Sequence, residues 1–273
     1  MTGRGAGAPP EGLAVRIEGD PGGATVVLVH GGADRAGTFR PLLPHLGGLR
    51  VVTYDRRGYG RSLAAAPPVS LVDHARDLLG VVAAQPAPCA VVAHSLGGNV
   101  ALLAATLDPL AFPALGVWEP ALPWVDWWPQ ATRDYCAAAA AAPDPAAEAE
   151  SMARGILGEE GWARLDEDVR AARRAEGRAY QVDLASQLSA PYRFTDVTVP
   201  TVVGYGTASS EDRRIGGPWL REQLPDARLF VVEGATHWGH RTHPAEFARL
   251  VRRVVDLAAE RHRGAPSSEE TPR

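Results

Sequence analysis

The stretch "VVAHSLGGNVAL", residues 91–102, decides the fold. An apolar run ends at His94, an apolar helical pattern starts at Leu96, and Ser95 stands between them. A buried strand that turns at once into a helix predicts this order, with the serine on a strained turn. The spacing is small-x-Ser-x-Gly: Ala93, His94, Ser95, Leu96, Gly97. Small residues two before and two after the serine suit the close approach of strand and helix. Gly97 fits that need, and Ala93 departs mildly from glycine. Such a turn lifts the hydroxyl above the sheet. It also aims the Leu96 amide and the helix N-terminus at one point, where a negative oxygen would be stabilised. A chance helix start would account for "SLGG" alone, but not for the strand before it or for the motifs elsewhere.

Upstream, "VVLVHGGADRAGTF" ends an apolar run on His30, Gly31 and Gly32. Gly32 is the candidate for a second backbone donor to the same oxygen, because glycine lets the backbone approach a substrate closely. His30 reads as a loop holder. "YDRRGYGRS", residues 54–62, is a Gly- and Arg-dense turn in which Asp55 and Arg57 tie the loop to its neighbours.

Six apolar runs punctuate the chain: 24–30, 49–55, 88–94, 113–119, 200–206 and 227–234. Each is Val-rich or continuously apolar, as strands buried on both faces are. Amphipathic patterns lie between them. Residues 70–85 open on a Ser cap, and 243–262 carry Pro244 at a permitted first-turn position. Alternating strand and helix predicts an α/β fold with a doubly wound, mostly parallel sheet. Residues 121–199 break the rhythm with Ala-rich and charged helical patterns, and read as a helical insertion. The core is then 12–120 and 200–262, and the polar ends, 1–11 and 263–273, read as disordered.

Composition agrees with a soluble globular protein: 273 residues, 45% hydrophobic, 22% charged, net charge −4. No strong field favours nucleic acid or a membrane surface. No apolar run spans a bilayer, and the N-terminus lacks a signal-peptide core, so a cytoplasmic protein is expected. Cys89 and Cys136 make no disulfide framework. The basic residues are all arginine. Oligomeric state is left open.

"VVEGATHWGHRTHPAEF" offers His237, His240 and His243 after the last apolar run. His237 follows the strand and a short Gly-containing turn, where a base at the carboxyl edge of the sheet belongs. His243 opens the final helix as a cap or surface residue, and His240 is ambiguous. No acid and histidine set shares a helix face, so no metal is expected.

Together, "HGG" at 30–32, "DRRGYGRS" at 55–62, "AHSLGG" at 93–98 and "GATHWGHRTHP" at 234–244 resemble the α/β-hydrolase superfamily in order and context. The resemblance covers nearly the whole chain and puts 121–199 in the place of the helical lid. It implies a catalytic triad with Ser95 as nucleophile and His237 as base, an oxyanion hole at Gly32 and Leu96, and no cofactor. The acid departs from the commoner pattern. Where many members carry an aspartate after the post-lid strand, this chain has Thr207, with Glu211 and Asp212 further along. Some members, certain haloalkane dehalogenases among them, place the acid after the strand before the lid. Glu119 is similar to that position, with Asp212 or Glu211 as alternatives. The expected activity is a carboxylic ester hydrolase-like one, on an ester, thioester or lactone through an acyl-enzyme. The expected partner is a small-molecule substrate, apolar or aromatic if Trp124 and Trp128 line the pocket; packing of lid on core is the other use for those tryptophans. C–C bond hydrolysis, a lyase or a cyclase in the same pocket is one alternative, and a non-catalytic binding module is another. Dehalogenase chemistry would need an aspartate where Ser95 stands.

Overall fold

The structure is a computed structural model that describes residues 8–264. Its strands are β1 (Val15–Gly19), β2 (Ala24–Val29), β3 (Leu49–Tyr54), β4 (Cys89–His94), β5 (Leu115–Trp118), β6 (Thr201–Gly206) and β7 (Ala227–Val232). Its helices are α1 (Leu71–Ala83), α2 (Leu96–Leu107), α3 (Gln130–Ala140), α4 (Pro145–Ala163), α5 (Glu167–Ala175), α6 (Gly177–Ala185), α7 (Glu211–Gln223), α8 (Gly239–Thr242) and α9 (Pro244–Gly264).

The strands form one sheet in the order β1-β3-β2-β4-β5-β6-β7, parallel throughout except for β1 against β3. This is the doubly wound α/β architecture expected from the alternation of runs. β2 to β7 are the six apolar runs. β1 carries Arg16 and Glu18 and lies at an exposed edge, so it has no apolar run to announce it; edge charges of this kind discourage further pairing. β7 was expected to be buried on both faces and is not. It is the last strand, and Leu229 and Val231 stay exposed.

Each face of the sheet is sealed by helices whose apolar stripes turn inward. Leu71 and Leu78 of α1, Val100 and Leu103 of α2 and Leu220 of α7 share one apolar layer with β4 and β5. Phe247, Leu250, Val251 and Val254 of α9 pack on the other, against Trp118. The start of α1 is held by Asp73, whose carboxylate accepts from the Ser70 and Val69 amides at 3.2 and 2.8 Å.

Between β5 and β6 the chain leaves the sheet. α3 and α6 pack on each other through a small core of their own, made of Cys136, Ala139, Tyr180 and Leu184, with Met152 of α4 against it. α4 is kinked at Gly158, whose φ of 72° and ψ of 162° break the helix. At the ends, Pro10 rests against Gly80, and α9 runs through to Gly264. The expected disorder of 1–7 and 265–273 lies outside the described residues.

Candidate active site

Ser95 joins β4 to α2 with φ 53° and ψ −127°, a left-handed conformation that costs a non-glycine residue about 1–3 kcal/mol. The turn is pinned by its own backbone: the Ser95 amide donates to the Trp118 carbonyl at 2.8 Å, and Gly98 donates to the Ser95 carbonyl at 2.8 Å. Gly97 is needed for a more specific reason than its spacing suggested. A Cβ there would lie 2.5 Å from the His30 carbonyl oxygen and 2.7 Å from that of Val29, so α2 starts against the end of β2. The Gly31–Gly32 loop lies over the same turn. A Cβ on Gly31 would come 3.1 Å from Ser95 Cβ, and one on Gly32 would come 3.7 Å from Leu96 Cδ2. Gly32 and Leu96, the two candidate amide donors, are therefore neighbours.

Glu119 follows β5, the strand next to β4, and is itself held at φ 46°. Its side chain is buried. His237 Nδ1–H donates to Glu119 Oε2 at 2.9 Å, while Oε1 accepts from the Gly206 amide at 2.8 Å and from the Ser209 hydroxyl at 2.5 Å. Arg213 donates to the Glu119 carbonyl at 3.2 Å. Burial pushes the Glu119 carboxyl up, and Ser209, Gly206 and Arg213 act against that shift. Burial, then Arg213 and His240, hold His237 well below the ordinary histidine range, so its ring is neutral near pH 7.

The His237 loop is fixed from below. Its carbonyl accepts from His94 Nε2 at 2.9 Å and from Trp118 Nε1 at 3.1 Å. The His94 ring, one residue before Ser95, lies 4.5 Å from the His237 ring. Trp118 fits beneath because Gly204 and Gly239 make room; a Cβ on either would come within 2.7 or 2.6 Å of its indole.

The alternative acids are not brought to the base. Glu211 and Asp212 begin α7, and Thr207 is used by the Gly234 amide at 2.9 Å. The tryptophans divide. Trp118 is core, and Trp128 is buried in the apolar layer against α7, so the substrate-contact reading of Trp128 is corrected to packing. Trp124 is partly buried, edge-on to Tyr192 at 6.1 Å. His30 holds its loop as expected, taking the Arg56 amide on Nε2 at 2.8 Å.

A family model described as the alpha/beta hydrolase family matches residues 26–250. The chain belongs to the alpha/beta hydrolase family. Among named relatives, a pimeloyl-acyl-carrier-protein methyl ester esterase of Aeromonas hydrophila is 26% identical over 89% of this chain and all of its own. A candidate carbamate hydrolase, RutD, of Variovorax paradoxus is 36% identical over 107 residues, 38% of this chain and 40% of that relative, so this match spans well under half of either chain. In fold, the chain is similar to an enol-lactonase from Burkholderia xenovorans, with a TM-score of 0.68 and 20% identity over 89% of this chain and 96% of that one.

Two groups of residues in this alpha/beta hydrolase went unread in the sequence. The first joins the insertion to the serine turn. Arg56, fully buried, grips Asp183 of α6 with two hydrogen bonds of 3.0 and 2.6 Å and donates to the Gly31 carbonyl at 3.0 Å. The Tyr59 hydroxyl also donates to Asp183, at 2.5 Å. Burial, the largest influence, would raise the Asp183 carboxyl, but Arg56 and His74 together reverse that shift and hold it well below the ordinary carboxylate range. A lone acid between Val182 and Leu184 was the available signal; its partner, 127 residues away, was not. The second group is Asp34 Oδ2, His94 Nδ1 and His240 Nδ1. Each of these atoms is buried without a hydrogen-bond partner, and the three residues bring one possible ligand atom apiece within 4.8 Å of one another. Two imidazoles and a carboxylate are donor types that can hold a divalent ion. His94 spends its Nε2–H on the His237 carbonyl, and burial pushes the Asp34 carboxyl up to about 6.

Proposed function

We propose that this alpha/beta hydrolase is a serine hydrolase that cleaves an ester, thioester or lactone through an acyl-enzyme. The observation that carries the reading is the 2.9 Å bond from His237 to Glu119, at the sheet edge where Ser95 makes its strained turn. In this course, Ser95 Oγ attacks the carbonyl carbon of the substrate as His237 Nε2 takes the hydroxyl proton. The carbonyl electron pair moves onto oxygen, and the amides of Gly32 and Leu96 stabilise the charge. The tetrahedral species collapses, the bond to the leaving group breaks, and His237 returns its proton to that group. Water repeats the cycle on the acyl-enzyme, releasing the acid and restoring Ser95.

Glu119 fixes the tautomer of His237 and stabilises the imidazolium. Burial disfavours that imidazolium, so Glu119 offsets a cost that the enclosed site imposes. Residues 121–199 act as a lid that selects the substrate, with Trp124 as its aromatic contribution. The partner is a small molecule, with no metal, organic cofactor, nucleic acid or membrane, in the cytoplasm. Relatives named as a methyl ester esterase and a lipase support acyl chemistry over the alternatives. The test is reaction with a fluorophosphonate, followed by mass mapping of the labelled peptide. The label is expected on Ser95. A label elsewhere, or full ester turnover by Ser95→Ala, overturns the reading.

A further inference from the structure

A cavity of about 340 Å³ opens between the loop after β2 and helices α4, α5 and α8. It adjoins the candidate site. Ala33, the residue after Gly32, is part of its lining, as is Asp34, which clusters with His94, the residue before Ser95. Its two kinds of wall differ sharply. α4 contributes the aliphatic side chains of Ile156 and Leu157, and the rest carries four arginines: Arg35, Arg40, Arg173 and Arg241.

The charges do not cancel. Glu176 binds Arg35 Nε at 2.6 Å and Arg173 Nη1 at 3.5 Å, and Asp34 supplies the other carboxylate. Four guanidiniums against these two acids leave an excess of two positive charges, in a chain whose net charge is −4. Hydrogen bonding is also incomplete. Arg35 Nη2 and Arg173 Nε are buried with no acceptor, and a buried donor left unpaired is costly. Glu176 indicates what these guanidiniums take, since a carboxylate already sits between two of them. Planar guanidinium forks match the two oxygens of that group.

We propose that this cleft binds a carboxylate at the end of an aliphatic substrate chain, the chain lying on Ile156 and Leu157 and the carboxylate reaching Arg40 and Arg241 beside the Arg35–Arg173 pair. The assignment of this group to the substrate rests on the serine hydrolase reading; the subsite itself does not. The para-nitrophenyl monoester of glutaric acid and para-nitrophenyl pentanoate have nearly the same shape and differ in charge. The wild type should show a kcat/KM about tenfold or more higher on the glutarate ester, and the preference should shrink as added salt screens the arginines. An Arg40→Gln, Arg241→Gln double variant leaves the Glu176 pairs intact. It should lose about tenfold on the glutarate ester and stay within about twofold on pentanoate. Titration calorimetry with glutarate alone gives a readout that needs no turnover: saturable binding to the wild type, weakened in the double variant. Glutarate binding lost in the double variant, with neither ester cleaved, would support the subsite while rejecting the hydrolase chemistry. No saturable binding up to about 10 mM glutarate, or equal binding by both proteins, overturns the subsite. So does a double variant that loses both esters equally.

Discussion

Ser95, Glu119 and His237 act as a unit in the proposed chemistry, and single substitutions separate their parts. Ser95→Ala should abolish turnover, by a factor on the order of a millionfold, with an unchanged melt, since only a hydroxyl leaves an existing turn. Glu119→Gln keeps the shape and removes the charge; a loss of up to about ten-thousandfold in kcat is expected, with Asp212→Asn and Glu211→Gln close to wild type. Steady-state kinetics on the three acid variants decide this, and collapse of Asp212→Asn alone would show the wrong acid to have been chosen. Asp34 gives a prediction about pH. Its carboxyl is pushed up to about 6, above the unfolded value of about 3.9, so the folded chain holds the proton more tightly. The stability this contributes is present below about pH 4 and is lost as pH rises through about 6. Asp34→Asn should therefore flatten the change of Tm across that window relative to wild type, and an equal slope in both proteins would refute the assignment. Ser95 and His237 were legible in the chain because strand, turn and helix signals surround them. Glu119 was legible as a lone acid on an apolar run, but its hydrogen bonds to Gly206 and Ser209 join segments about 90 residues apart and leave no local trace.

At the scale of elements, the join between α6 and the loop after β3 carries the most exposed risk. Arg56 and Asp183 are both buried, and removing one partner leaves the other charge unpaired at a cost of about 3–5 kcal/mol. Arg56→Met and Asp183→Leu should each lower stability in urea by that order, and the double variant should be more stable than either single one. Additive losses in that cycle would mean that the pair does not couple insertion to core. Arg56 also holds the Gly31 carbonyl, so its loss should lower kcat by loosening the loop that carries Gly32. Trp124→Ala should change the ratio of activity on bulky and small esters without removing turnover, and an unchanged ratio across a panel would assign Trp124 to packing alone. Strands β2 to β7 could be read from their apolar runs. β1 could not, because an edge strand exposed along nearly its whole length carries charges like any loop, and the edge exposure of β7 could not, because strand order is not written in any one strand.

Across the whole molecule, insertion and core should unfold together. Asp183 of the insertion is buried against Arg56 and Tyr59 of the core, so neither part opens without exposing charge. Circular dichroism and fluorescence transitions in urea should coincide, with Trp162 reporting on the insertion and Trp118 on the core; separate midpoints would show two independent units. The sequence alone determined the class of architecture, the order of its repeating units, the place of the insertion and the serine turn. These follow from hydrophobic period, glycine placement and caps, which act over a few residues. Tertiary structure alone decided which acid meets His237, that Trp118 and Trp128 belong to the packed core, and that arginines from three separate segments surround one cavity. Those outcomes depend on strand order and on which helix covers which face. They are set by burial summed over the whole chain, which no local stretch contains.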